Sequence, residues 1–132
     1  MLLNASNDQE IDAAFATIVR QRIAALLLAD SSFFVGRREQ LVTLARFNAV
    51  PTMYTFPEFA RAGGLISYGS SLTDAWRQAG AYVARVLKGE KPGDLPVQQP
   101  TKFELVINLK IARTLGIAVP PGVLAIADEV IE

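Results

Sequence analysis

Residues 24–34 read AALLLADSSFF, and the fold turns on them. Ala24 to Ala29 form an unbroken apolar run of the kind expected for a β-strand covered on both faces. Asp30-Ser31-Ser32-Phe33-Phe34 then mark the end of that strand. Outward from this stretch, short apolar runs alternate with segments of helical periodicity. That alternation is the signature of βαβ units around a parallel sheet.

On the N-terminal side, Asn7 is placed to cap a helix, with Glu10 at the capping-box position. Ile11, Phe15, Ile18 and Val19 fall on one face of it through about Arg22. Met1 to Ala5 is a short apolar start that reads as a strand. On the C-terminal side, Gly36 to Asn48 is helical with Leu41, Leu44 and Ala45 inward. Pro51 to Phe56 reads as a strand stopped by Pro57, and 57–62 as one helical turn before Gly63-Gly64. Leu65 to Tyr68 is a fourth strand closed by Gly69. Ser71 is an N-cap with Asp74 in the first turn, and its helix runs to about Lys88, where Gly89 follows. Residues 90–100 (EKPGDLPVQQP) are a polar, Pro-rich connector. Phe103, Leu105 and Ile107 alternate with Glu104 and Val106 as an edge or half-buried strand. Asn108 caps a short helix ending at Gly116, and Pro120-Pro121 opens a terminal helix carrying Val123, Leu124, Ile126 and Ala127.

Composition narrows the function classes. A chain of 132 residues, 51% hydrophobic, suits one domain. Thirteen basic and thirteen acidic residues cancel, with no charge block, so neither nucleic acid nor an anionic membrane surface is indicated as a partner. Histidine and cysteine are absent, which excludes disulfides, Cys/His zinc sites and Ser-His-Asp or Cys-His catalysis. No apolar run reaches the ~18 residues of a membrane-spanning helix. The start, MLLNASNDQE, lacks the basic and apolar regions of a secretory signal, so the chain as it stands is expected to remain in the cytoplasm.

Open parallel α/β sheets bind ligands beyond the carboxyl ends of their strands. Asp30, Ser31 and Ser32 follow one strand, Phe56 and Glu58 the next, and Tyr68 stands at the end of a third. Hydroxyls, two carboxylates and aromatic rings on one rim suit a small polar ligand with an apolar body, such as an amino acid. The same residues have plainer uses. Asp and Ser at strand-to-helix junctions cap helices, and Phe33, Phe34, Phe56 and Phe59 suit a core or a lobe interface. Gly63-Gly64 is turn chemistry, and no G-x-G-x-x-G or P-loop pattern occurs. Asp30 and Glu58 as an acid–base pair would make a small hydrolase, but no partner residue or metal cluster supports it. No catalytic residue, metal or cofactor is expected.

Three stretches resemble the ABC transporter substrate-binding protein family that includes tryptophan/tyrosine-type receptors. They are PTMYTFPEFARAGGLISYGSSL (51–72), VARVLKGEKPGDLPVQQPTKFELVINLKIARTLGI (83–117) and VPPGVLAIADEVIE (119–132). The resemblance implies a type I periplasmic binding protein, in which two Rossmann-like lobes trap a solute and present it to a membrane permease. It places Asp30, Ser31, Ser32, Phe56 and Glu58 at the cleft, Tyr68 near the hinge, and 71–88 as the helix crossing to the other lobe. It also implies an extracytoplasmic location and a chain more than twice as long, so that this one holds the C-terminal portion.

The expected fold is therefore α/β: a Rossmann-like three-layer lobe with a parallel sheet, plus C-terminal helices. Residues 1–70 form the ligand-binding lobe, 71–101 the crossover helix and connector, and 102–132 the strand and helices completing the lobe. The expected function is capture of an amino-acid-like or aromatic solute for import. The alternative is a truncated remnant acting through protein contacts. Leu72, Trp76, Ala79, Tyr82 and Val83 form an apolar stripe on the 71–88 helix. With no second lobe to cover it, a homodimer is expected.

Overall fold

The computed structural model describes all of residues 1–132. Asn7 caps α1 (Asp8–Arg20), its side chain accepting from the Glu10 amide at 2.9 Å. The Glu10 carboxylate reaches back one residue further than expected, accepting from the Ser6 amide (2.7 Å) and hydroxyl (2.9 Å). Those bonds hold it below the usual carboxylate range. Ile11, Phe15 and Ile18 are buried, as the periodicity predicts, whereas Val19 lies at the edge of the stripe and is exposed.

Five strands form one sheet in the order β1-β2-β3-β4-β5: β1 (Leu26–Leu27), β2 (Thr52–Tyr54), β3 (Ile66–Ser70), β4 (Phe103–Asn108) and β5 (Glu129–Ile131). The α/β class holds, with a mostly parallel sheet. One pair, β3 with β4, is antiparallel. The helices are α2 (Ser32–Gly36), α3 (Arg38–Phe47), α4 (Pro57–Arg61), α5 (Leu72–Leu87), α6 (Leu109–Thr114) and α7 (Pro121–Ala125).

Register partners share a face, so Tyr54, Ser67, Val106 and Glu129 look one way and Met53, Ile66, Ile107 and Val130 the other. The first face carries the core, where α1, α3 and α4 bring Ile11, Phe15, Leu41, Val42, Ala45 and Phe59 onto Leu28 and Tyr54. The second face is open at Leu27, Tyr68, Phe103 and Val130.

Several expectations need correction. Met1 to Ala5 forms no strand. Leu3 and Ala5 are half-buried between exposed neighbours, the alternation of a strand with nothing beside it. The 24–29 run is not covered on both faces, because β1 is the edge of the sheet and Leu27 is 68% exposed. Leu44 is only half-buried, and Val42 takes the core position beside Leu41 and Ala45. Gly69 does not close β3, which continues to Ser70 because Ser70 pairs with Phe103. β4 is interior, between β3 and β5. The terminal helix stops at Ala125, and the chain returns as β5. Reciprocal bonds fix that return: the Asp128 amide donates to the Leu105 carbonyl (2.9 Å), and the Leu105 amide to Asp128 Oδ2 (2.8 Å).

Tyr54 anchors the core at 1% exposure, stacked on Phe59 with ring centroids 4.8 Å apart. Its hydroxyl makes no hydrogen bond, since the neighbouring Thr52 hydroxyl donates to the Val50 carbonyl (3.0 Å) instead, and burial pushes its pKa up to about 12, the proximity of Thr52 offsetting the rise only in part. An unfolded phenol ionises near 10, so the folded state holds this proton longer. Stability is therefore whole below pH ~10 and falls as pH rises toward 12, by about 3 kcal/mol from this residue. Tyr54→Phe should remove that contribution to the alkaline slope. At neutral pH it should leave stability unchanged or raise it by about 1 kcal/mol, since an unpaired buried hydroxyl is lost. Urea unfolding of both proteins at pH 7 and pH 11 checks this.

Candidate functional site

β1 and β2 are adjacent and parallel, so the chain leaves both at the same end of the sheet. Asp30, Ser31 and Ser32 follow β1 there, and Phe56 and Glu58 follow β2. The structure thus brings these five to one rim, the place where α/β sheets collect ligands. Asp30 and Ser32 are exposed and Ser31 half-buried. Ser31 occupies the N-cap position of α2, yet its side chain makes no capping bond, so its hydroxyl is not consumed by that role. Phe33, Phe34 and Phe56 pack against the core while remaining half-exposed. Phe59 belongs wholly to the core.

Glu58 stands in the first turn of α4, 3.9 Å from Arg61. Arg61 in turn grips Glu129 at 2.6 Å and holds its carboxyl below the usual range through hydrogen bonds and charge. Both partners are more than a third exposed, so this bridge contributes on the order of 1 kcal/mol or less. It ties α4 to β5 and partly neutralises the Glu58 side of the rim. Asp30 and Glu58 meet no third carboxylate in a metal-holding group.

Tyr68 follows the Tyr54–Ser67 pair of the parallel β2–β3 register, which sets it level with Thr55 at the same end of the sheet. It lies inside β3, 48% exposed, stacked on Phe103 at 5.7 Å on the open face of the sheet. Gly69 beside it is required by a close approach, because a Cβ there would lie 2.0 Å from the Thr55 carbonyl oxygen.

Arg37 is a rim residue that the sequence does not single out. It bonds Asp8 at 2.5 Å and lies 5.2 Å over the Phe33 ring, which brings a cation beside Asp30–Ser32. The only local signal is its spacing, four residues after Phe33.

The stripe on α5 splits in two. Leu72, Trp76, Ala79 and Val83 are all exposed, and no residue of this helix is buried. Tyr82 turns away from them, half-buried against the connector, with its hydroxyl donating to the Pro96 carbonyl.

The fold defines the class: a Rossmann-like α/β lobe of the kind that builds substrate-binding proteins. The chain belongs to the ABC transporter substrate binding protein family, which it matches over residues 2–131. No curated protein matches the sequence. Among solved structures, a conserved domain protein from Vibrio cholerae O1 biovar El Tor is similar, with 26% identity and a TM-score of 0.85. That match covers 96% of this chain and 42% of the other. An ABC domain from Streptococcus pneumonia, solved in complex with L-Trp, has 28% identity and a TM-score of 0.83, covering 93% of this chain and 42% of that one. A ligand-free, open substrate binding protein with adhesive properties from Clostridium difficile shares the fold at 18% identity and a TM-score of 0.66, covering 96% of this chain and 42% of that one. The chain spans less than half the length of each. No helix is long and apolar enough to cross a membrane.

Proposed function

We propose that this chain is one half of a solute-binding cleft, serving import of a small amino-acid-like or aromatic solute through an ABC permease outside the cytoplasm. The observation that carries the reading is the shared rim, where Asp30, Ser31, Ser32, Phe56 and Glu58 follow two adjacent parallel strands. Asp30 and Glu58 suit an ammonium group, Ser31 and Ser32 a carboxylate, and Phe56 the apolar body. The family and the L-Trp complex of the pneumococcal relative support it. Closure about a hinge, with no covalent chemistry, would complete the site.

The test is titration of the isotopically labelled chain with L-tryptophan, read by NMR. Amide shifts are expected at Asp30–Ser32 and Phe56–Glu58, with an affinity near 1 mM, about −4 kcal/mol. Half a cleft scarcely offsets the several kcal/mol needed to immobilise a ligand. Shifts elsewhere, or none, would remove the reading. Affinity tighter than about micromolar would show that one lobe suffices.

A second reading concerns assembly. The stripe of Leu72, Trp76, Ala79 and Val83 favours a homodimer through α5, an accessory role that needs no ligand.

A further inference from the structure

The rim carries more negative charge than an amino-acid-like solute can satisfy alone. Asp30 and Glu58 suit its ammonium group, and Ser31 and Ser32 offer hydroxyls to its carboxylate. Hydroxyls supply dipoles but no charge, so an anion entering beside two carboxylates calls for a cation. Arg61 is not free for this, since its Nε and Nη2 both donate to Glu129. Arg38 faces its own neighbour Glu39 at 3.5 Å. Arg37 is the guanidinium that is left.

Its bond to Asp8 uses Nε alone (2.5 Å), and neither Nη nitrogen bonds to any atom of the protein. Nη1 and Nη2 are the edge of a guanidinium that takes a carboxylate through two parallel hydrogen bonds. The Arg37 guanidinium carbon lies 5.2 Å from the centre of the Phe33 ring, and Phe33 is itself packed against the core. Asp8 on one edge and the ring on one face therefore hold the fork while its outer edge stays open. The bridge to Asp8 joins groups 42% and 56% exposed, so it contributes little to stability. Close by, the Ser31 hydroxyl makes no capping bond to α2 and is available as a further donor.

We propose that Arg37 is the carboxylate receptor of the rim. Nη1 and Nη2 donate to the two oxygens of the solute's carboxylate, and Asp8 and Phe33 position the guanidinium for it. This rests on the rim reading given above and narrows the solute to one with a free carboxylate. An amine without that group would satisfy Asp30, Glu58 and Phe56 and leave the fork unpaired.

The test compares L-tryptophan with tryptamine, which lacks only the carboxylate, by NMR titration of the labelled chain. Two places are read: the amides of Asp30–Ser32 and the side-chain Nε–H of Arg37. L-Tryptophan should move both, tryptamine the amides alone, and L-tryptophan should bind about tenfold more tightly or better. Arg37→Gln should erase that preference, and Arg37→Lys, which keeps the charge without the fork, should restore only part of it. Asp8→Ala breaks the same bridge and keeps the cation. It also removes an anion beside the incoming carboxylate, so L-tryptophan should stay preferred. Loss of the preference in Asp8→Ala as complete as in Arg37→Gln would make the bridge a structural tie and overturn the inference. An Arg37→Gln protein with the parent's preference would overturn it as well, while leaving the rim in place. Rim amides that respond to neither ligand would remove the rim reading and this inference with it.

Discussion

Gly69→Ala should destabilise the protein by about 3 kcal/mol, the upper end of the usual cost of overpacking and a large part of the ~5–15 kcal/mol that holds an ordinary domain together. A Cβ at this position lies 2.0 Å from the Thr55 carbonyl oxygen and 3.0 Å from its carbon. Neither atom belongs to a flexible side chain that could swing aside. Relief requires the chain leaving β2 to move away from β3, and the residues that follow Thr55 are Phe56, Pro57 and Glu58. The substitution should therefore act twice, lowering the urea midpoint and weakening the rim's response to L-tryptophan. Gly80→Ala supplies the contrast. Gly80 lies inside α5 with nothing within 4 Å of the place a methyl group would take, so alanine there should stabilise by about 0.5–1 kcal/mol. Equal urea midpoints for the Gly69 variant and the parent would show that the β2 exit yields without cost.

The contrast between these glycines bears on what a sequence can and cannot show. By sequence Gly69 reads as the residue that closes a strand, since glycine commonly punctuates. Its actual reason is a backbone neighbour fourteen residues earlier, brought close by parallel pairing, and no local pattern encodes that. The same limit explains β5. Glu129–Ile131 is three residues long and pairs with β4 more than twenty residues away, so Pro120-Pro121 reads as the start of a long helix. Caps are legible because they are local. The side chains of Asn7, Ser71 and Asn108 each accept from the amide three residues on, at Glu10, Asp74 and Ile111, as an N-cap should. The rim at Asp30–Ser32 and Phe56–Glu58 is legible for a different reason: it needs only the order and direction of two strands. Tyr68 is harder, because its place depends on β4, which extends β3 past it and supplies Phe103 as its stacking partner. The apolar run 24–29 shows that a strand is there. It does not show that the strand stands at an edge with Leu27 open.

Trp76→Asp should convert a homodimer into a monomer. α5 is sixteen residues long without one buried residue, and Trp76 on its outer face is 74% exposed. Leu72, Val83 and Leu87 continue the exposed strip above and below it. A helix of this length standing free in water is marginal, and a strip of large apolar side chains is a strong drive to association. A two-fold axis lets each Trp76 pack on the partner's strip while its own strip receives the partner's tryptophan. Burying most of a tryptophan, some 150–250 Å² at roughly 25 cal/mol per Å², contributes about 4 kcal/mol per chain. Asp removes that from both copies and adds a carboxylate that resists desolvation. The dissociation constant should rise by more than ~10⁴-fold, since each 1.4 kcal/mol is a factor of ten. Light scattering across a dilution series reads the result directly. The sheet should survive, because Trp76 touches none of the core, and far-UV circular dichroism should lose at most the signal of α5. A parent chain that scatters as a monomer at every concentration would overturn this, and so would a Trp76→Asp variant that remains dimeric.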